Sequence, residues 1–175
     1  RFFTAPGDTP LERMRLDSNG NLGVGATPSA WSPIFKAIQM QNGTCLASHP
    51  SVPVTYLNSN YYFDGTNDRY VVNGYASSYI VDGYQGGFTW RTAVTGTAGG
   101  VISFNERMRI TSDGNVGIGT SAPSFAKLQV GNGNAEGLEF QPAVVAGTNR
   151  ILSYNRTTSG YNALRLDGER EEFYT

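Results

Sequence analysis

Residues 12–25 read E-R-M-R-L-D-S-N-G-N-L-G-V-G, and residues 106–119 read E-R-M-R-I-T-S-D-G-N-V-G-I-G. Nine of these fourteen positions are identical, and four of the other five are conservative: Leu16/Ile110, Asn19/Asp113, Leu22/Val116 and Val24/Ile118. Agreement of this density within 175 residues marks an internal repeat. The recurring residues are Glu12, Arg13, Met14, Arg15, Gly20, Asn21, Gly23, Gly25 and Pro28 in the first copy. In the second they are Glu106, Arg107, Met108, Arg109, Gly114, Asn115, Gly117, Gly119 and Pro123.

The likeness extends outward. F-K-A-I-Q-M at 35–40 parallels F-A-K-L-Q-V at 125–130, and Asn42-Gly43 parallels Asn132-Gly133. Asp82-Gly83 with Phe88 parallels Asp167-Gly168 with Phe173, and the final E-F-Y-T resembles the initial R-F-F-T. The period is about 86 residues, with the offset drifting between about 85 and 95 as loops differ in length. Two units follow: 1–86, with a hairpin at 12–28 and a Tyr-rich β-module at 40–86, and 87–175, with a hairpin at 106–123 and a β-module at 131–172. The chain opens at Arg1 without an initiator Met or signal peptide and reads as a fragment of a longer array.

Within the motif, Met14 and Leu16 alternate with Arg13 and Arg15, the pattern of a half-buried strand. Asn19-Gly20 and Asp113-Gly114 tolerate positive φ and signal a hairpin turn. L-G-V-G and V-G-I-G leave one strand face without side chains, which implies close approach of another backbone or a bend. Further strands are expected at 52–57, 70–72, 79–81, 88–91, 101–104, 138–140, 151–154 and 163–166, separated by Gly-containing turns. The one helix candidate, 29–38, is interrupted by Pro33. The reading is all-β: tandem hairpin and β-module repeats. Such a hairpin is too poor in apolar side chains to close its own interior, so strands of sister chains are expected to supply the missing wall.

Composition narrows function. Thirteen Lys and Arg against fourteen Asp and Glu give a net charge of -1, with no basic surplus for a nucleic-acid backbone. No apolar run is long enough to insert in a membrane as a helix. A single cysteine, Cys45, excludes a disulfide framework and a thiolate zinc site. The single histidine, His49, stands in a Ser-His-Pro loop and has no catalytic partner motif. No metal and no cofactor are expected. The Gly-x-Gly pairs lack the Lys-Ser/Thr of a phosphate loop.

Two clusters invite ligand readings. Ten aromatic residues lie between Tyr56 and Trp90, and in their turn-rich part Tyr61, Tyr62, Asp64, Asn67 and Asp68 are the candidate contacts for a sugar. The competing reading is an aromatic surface packing on itself or on a neighbouring chain. Asp64, Asn67 and Asp68 also offer oxygen ligands, without the spacing of a calcium loop. Glu169, Glu171 and Glu172 offer carboxylates for glycoside hydrolysis, or simply a solvated turn. The recurring Arg13/Arg15 and Arg107/Arg109 read as cross-strand or inter-chain partners of Glu12 and Glu106 rather than as an anion site.

The string 106–120 with Ser121-Ala122-Pro123 and K-L-Q-V at 127–130 resembles a repeat of bacteriophage tail fibre and tailspike proteins. That repeat runs E-R-M-R-I-x-x-x-G-N-V-G-I-G-T-x-x-P, commonly with a K-L-x-V strand after it and an intramolecular chaperone further on. The first copy departs at Leu16, Leu22, Val24 and Ala26-Thr27, and 151–167 looks like the small β-modules between such hairpins. The resemblance implies a parallel homotrimer, an elongated intertwined shaft with small β-rich inserts, and a place on a virion tail fibre or other extracellular appendage. The function it implies is non-enzymatic: host attachment by spacing and presenting receptor-binding parts. A carbohydrate-binding module contacting host surface polysaccharide through the Tyr-rich insert is the alternative, and a polysaccharide-degrading spike segment the third reading.

Overall fold

A computed structural model gives the structure of the protein and describes residues 1–5, 7, 9–131, 136–145 and 147–164, the side chains of 136 and 143–145 excepted. The chain packs as two compact units, Arg1–Asp113 and Gly114–Thr175. The sequence period puts a unit end after residue 86; packing instead groups the strands that follow, as far as Asp113, with the first unit.

In the first unit, β1 (Phe2–Thr4), β2 (Leu11–Leu16), β3 (Leu22–Val24), β4 (Lys36–Met40), β5 (Cys45–Ser48) and β6 (Val54–Ser59) lie side by side in chain order. The two-stranded β7 (Tyr62–Phe63) and β8 (Asp68–Arg69) stand apart; β9 (Gly74–Asp82), β10 (Gly87–Gly96) and β11 (Asn105–Ile110) then continue the sheet from β6. All pairs are antiparallel except β3–β4. The second unit contains β12 (Val116–Ile118), β13 (Leu128–Gly131), β14 (Glu136–Val145), β15 (Thr148–Asn155) and β16 (Gly160–Tyr161), with β12–β13 parallel and the rest antiparallel. The fold is all-β and mixed, with no α-helix among the described residues.

The sequence repeat reappears as a pairing repeat. Leu22, Gly23 and Val24 oppose Ile38, Gln39 and Met40; Val116, Gly117 and Ile118 oppose Leu128, Gln129 and Val130. A parallel pair cannot be joined by a tight turn. The residues after each Gly-x-Gly therefore cross back before the next strand, and Pro28 and Pro123 lie in these crossings.

Several expectations are corrected. Residues 29–35 form a crossing loop and 36–40 a strand, so the 29–38 helix candidate is absent; Pro33 removes a donor and the β-branched Ile38 favours a sheet. Residues 70–72 and 102–104 are irregular covering segments, not strands. Residues 163–164 are not strand, and 165–166 lie outside the described residues, as do Asn132-Gly133, Asp167-Gly168, Glu169, Glu171, Glu172, Phe173 and the final E-F-Y-T.

The first unit closes an interior of its own, contrary to the expectation that strands of sister chains must supply the missing wall. Along one sheet face, register aligns Gly23, Gln39, Cys45, Asn58, Ser78 and Arg91. Small side chains on the same face, Ala37, Ala47, Ala76 and Ala93, leave room above them. Loop aromatics fill that room: Trp31 and Phe35 from the crossing, Tyr61 and Tyr70 from the insert, with Ile102. Trp31 meets Tyr61 edge-on at 5.8 Å, and Phe35 meets Tyr56 and Phe63 at 5.5 Å. Gln39, 2% exposed, is satisfied by this cover: its Oε1 accepts from Trp31 Nε1 (2.8 Å) and Ser29 N (2.9 Å), and its Nε2 donates to Ser29 Oγ (3.0 Å). Trp31→Phe keeps the ring but withdraws a donor from a buried amide. It is expected to cost about 1–2 kcal/mol, read by denaturant unfolding; an unchanged midpoint would contradict this role for the indole N–H.

Candidate functional site

The repeated motif is a device for shaping a sheet edge. Phe2 opposes Met14 but Phe3 opposes Glu12, so β2 bulges at Arg13; Trp90 opposes Met108 but Arg91 opposes Glu106, so β11 bulges at Arg107. A bulge breaks the period-2 alternation. Glu12 and Arg15 therefore share a face, as do Glu106 and Arg109. Arg15 Nε donates to Glu12 Oε1 (2.5 Å) and Nη2 to Oε2 (3.0 Å). Arg109 repeats the fork on Glu106 at 2.7 and 2.6 Å. The Arg15 guanidinium holds the Glu12 carboxyl below its ordinary value. The first arginine of each motif turns the other way: Arg13 Nε donates to Thr4 Oγ1 and Arg107 Nε to Thr92 Oγ1, both at 2.8 Å. The partners are thus within one strand and on the preceding strand of the same chain.

The residues between complete the turn. Asp17 Oδ1 accepts from the backbone N–H of Asn19 (2.9 Å) and Asn21 (2.8 Å), and Gly20 takes φ +81°. Asn21 is fully buried, and its Oδ1 accepts from Ala37 N (3.1 Å) on β4. The bare glycine face is explained by close approach from within the chain. A Cβ on Gly23 would lie 2.1 Å from Ala26 O and 2.8 Å from Pro28 Cδ; on Gly117 it would lie 2.6 Å from Thr120 O and 3.1 Å from Pro123 Cγ.

The opposite sheet face decides what the first unit presents. Register runs Leu16, Leu22, Ile38, Leu46, Leu57, Tyr79, Trp90, Met108, one side chain per strand across eight strands. None is charged, and none is buried: Leu57 is 53% exposed and Leu16 65%. At the strand spacing of a sheet the row extends roughly 34 Å. A second row, Phe2, Met14, Val24 and Met40, lies beside it and is also exposed. In the second unit Val116, Leu128, Phe140 and Ile151 align likewise. Contiguous apolar surface of this extent is rare on monomeric soluble proteins.

The candidate sugar contacts are placed differently. Tyr61 is 2% exposed, enclosed by Trp31 and Phe104; burial, with Asp68 beside it, pushes its hydroxyl pKa up. Tyr62 is half-buried against Trp31. These rings cover the sheet and present no open face at Tyr61. Asp64, Asn67 and Asp68 are brought into one turn with Arg69. Asp64 Oδ1 accepts from Thr66 N (2.8 Å) and Asn67 N (2.7 Å), and Oδ2 from Arg69 Nε (2.6 Å). The Asn67 backbone donor, then Arg69 and Thr66, hold the Asp64 carboxyl down at about 2. A carboxyl depressed in the fold stabilises it above the ordinary value of 3.8 and loses that contribution as pH falls through about 2. An NMR titration is therefore expected to show the 64–69 turn intact at pH 3; opening near pH 4 would refute the assignment.

No group of three or more His, Cys, Asp or Glu able to hold a metal occurs among the described residues. Cys45 is fully buried, and burial pushes its thiol up to about 11, so it behaves as a small core residue. His49 accepts from Ser51 N through Nδ1 (3.2 Å) and sets its ring edge-on to Phe35. The apolar row was not legible as a row from sequence: Leu16, Leu22 and Met108 stand out there only as motif positions, and Tyr79 and Trp90 only within the aromatic stretch. Its signal was present as every-second-residue apolar positions, Ile38 and Met40 on one strand and Met14 and Leu16 on another, masked by the richer aromatic insert. No family model, curated protein or solved structure matches the chain.

Proposed function

We propose that this chain is a non-enzymatic structural segment of a phage tail fibre or similar extracellular fibre, a parallel homotrimer that spaces and presents receptor-binding parts for host attachment. The observation that supports this reading is the uncharged apolar row from Leu16 to Met108, open to solvent in the single chain. Covering such a face removes apolar area from water, worth about 25 cal/mol per Å². A second copy is the occupant favoured by the repeat. The second unit presents a like row in like register, so copies running parallel would meet apolar row with apolar row at each unit. Closed rotational symmetry lets each copy use the same face. A rod sealed this way resists local opening and proteolysis through slow unfolding.

Light scattering or native mass spectrometry of the chain tests the reading. The expected species has three times the 18.9 kDa chain mass. A folded monomer at micromolar concentration, or a closed dimer, would overturn it.

A further inference from the structure

Among the described residues, the second unit repeats the β3–β6 strands of the first but not their cover. Phe35 and Phe125 hold matching positions ahead of β4 and β13. Phe35 is buried among Trp31, Tyr56 and Phe63, whereas Phe125 is 54% exposed. Gln39 is satisfied by Trp31 and Ser29, whereas the buried Oε1 of Gln129, at the matching register, has no hydrogen-bond partner among the described residues. In place of the small seats Ala37 and Ala47 stand Lys127 and Gln141, and in place of Tyr56 stands Arg150, which opposes Gln141 as Tyr56 opposes Ala47. The result is an open cleft of about 570 Å³. Phe125, Lys127, Gln141, Arg150, Tyr154 and Tyr161 are among the residues that line it.

The chemistry of this lining is selective. Glu139, buried beneath, is neutralised by Arg156, which forks onto it through Nε (2.8 Å) and Nη2. The Arg156 guanidinium is layered on Phe125 (4.0 Å) and Tyr154 (4.4 Å), so it is held in place rather than offered. Arg150 differs: its Nε and Nη2 rest on the neutral Gln141 Oε1 at 3.0 and 2.5 Å, and no carboxylate pairs with it among the described residues. Tyr161, 73% exposed, stands edge-on to Tyr154 at 5.2 Å. A guanidinium that retains its charge binds a carboxylate in a fork. Aromatic surface beside it suits the C–H face of a ring, while the Gln141 amide, engaged with Arg150, Glu139 and the Phe125 carbonyl, holds the guanidinium in place.

We propose that this cleft binds a carboxylate-bearing sugar, with Arg150 taking the carboxylate and Tyr161 the ring. The inference does not rest on the fibre reading. By strand alternation, Gln129, Glu139 and Leu152 mark the face opposite Val116, Leu128, Phe140 and Ile151, so self-association through the apolar rows leaves the cleft accessible.

Calorimetry and saturation-transfer NMR on the full chain would use tetragalacturonate and sialyllactose as acidic probes, with neutral lactose and inorganic phosphate as controls. At least one acidic sugar is expected to bind, and added salt to weaken it. Arg150→Gln is expected to weaken it at least tenfold and Tyr161→Ala severalfold. Both side chains are exposed, so circular dichroism should show the fold of each variant unchanged. Absence of binding by both acidic sugars, equal binding of lactose, phosphate binding as tightly, or full affinity in Arg150→Gln would each overturn the proposal.

Discussion

Gly23→Ala is expected to destabilise the first unit by about 3 kcal/mol. The added Cβ would lie 2.1 Å from the Ala26 carbonyl oxygen and 2.8 Å from the Pro28 ring. Neither neighbour is the free end of a flexible side chain, and Pro28 has a fixed φ, so the crossing between β3 and β4 has to move as a whole. That crossing carries Trp31 and Phe35, which cap the buried sheet face, so displacement at Gly23 is transmitted to the core. Backbone freedom is not the issue here; the constraint is space. Gly117→Ala, with the nearest atom at 2.6 Å, should act in the same direction and less strongly. Gly160→Ala is a matched control, since its nearest neighbour is Thr158 Oγ1 at 3.4 Å. Thermal unfolding reads all three. A Gly23→Ala chain melting with the unaltered one would show that the motif glycine is not held by the proline crossing.

Replacing Leu46 and Leu57 together with lysine is the second large effect, and its sign separates two states of the molecule. In an isolated chain both side chains are about half exposed, so exchanging them for lysine should alter stability within about 0.5 kcal/mol each. If the row is covered by sister chains, the same change places uncompensated charges in a desolvated interface. Charges buried without partners cost several kcal/mol apiece. An association constant is then expected to fall at least a thousandfold, equivalent to about 4 kcal/mol. The expected outcome is a monomer by mass with an unchanged β-sheet circular dichroism spectrum. A variant that keeps the assembled mass would remove this face from the interface and with it the main support for the fibre reading.

Much of the architecture was readable from the residues. The duplicated string predicted duplicated strand pairing, and Leu22–Gly23–Val24 and Val116–Gly117–Ile118 do pair with their following strands in the same register. The crossing after each Gly-x-Gly, first its Ala26 or Thr120 carbonyl and then its proline ring, is the reason for the glycine that precedes it. The alternation in E-R-M-R was misleading, because a bulge at Arg13 and at Arg107 shifts the phase by one residue and brings Glu and the second Arg together. Periodicity cannot reveal an extra residue whose only signature is its register with the neighbouring strand. The crossing at 29–35 was likewise opaque: Trp31 and Phe35 have no periodic company, and their partners Ala37, Ala47 and Tyr61 lie on other elements.

The sequence by itself determined that this protein is built of short strands, that its units repeat, and that glycine, asparagine and proline set the turns between them. Only the tertiary structure decided which side of the sheet is the inside. Hydropathy along β4, β5 and β6 would bury Ile38, Leu46 and Leu57 and expose Gln39 and Asn58; the first unit does the reverse. The physical reason is volume and hydrogen bonding. The loop aromatics need shallow, small or polar seats beneath them, and Gln39 finds its donors in that cover, so the large aliphatic side chains are left on the opposite face.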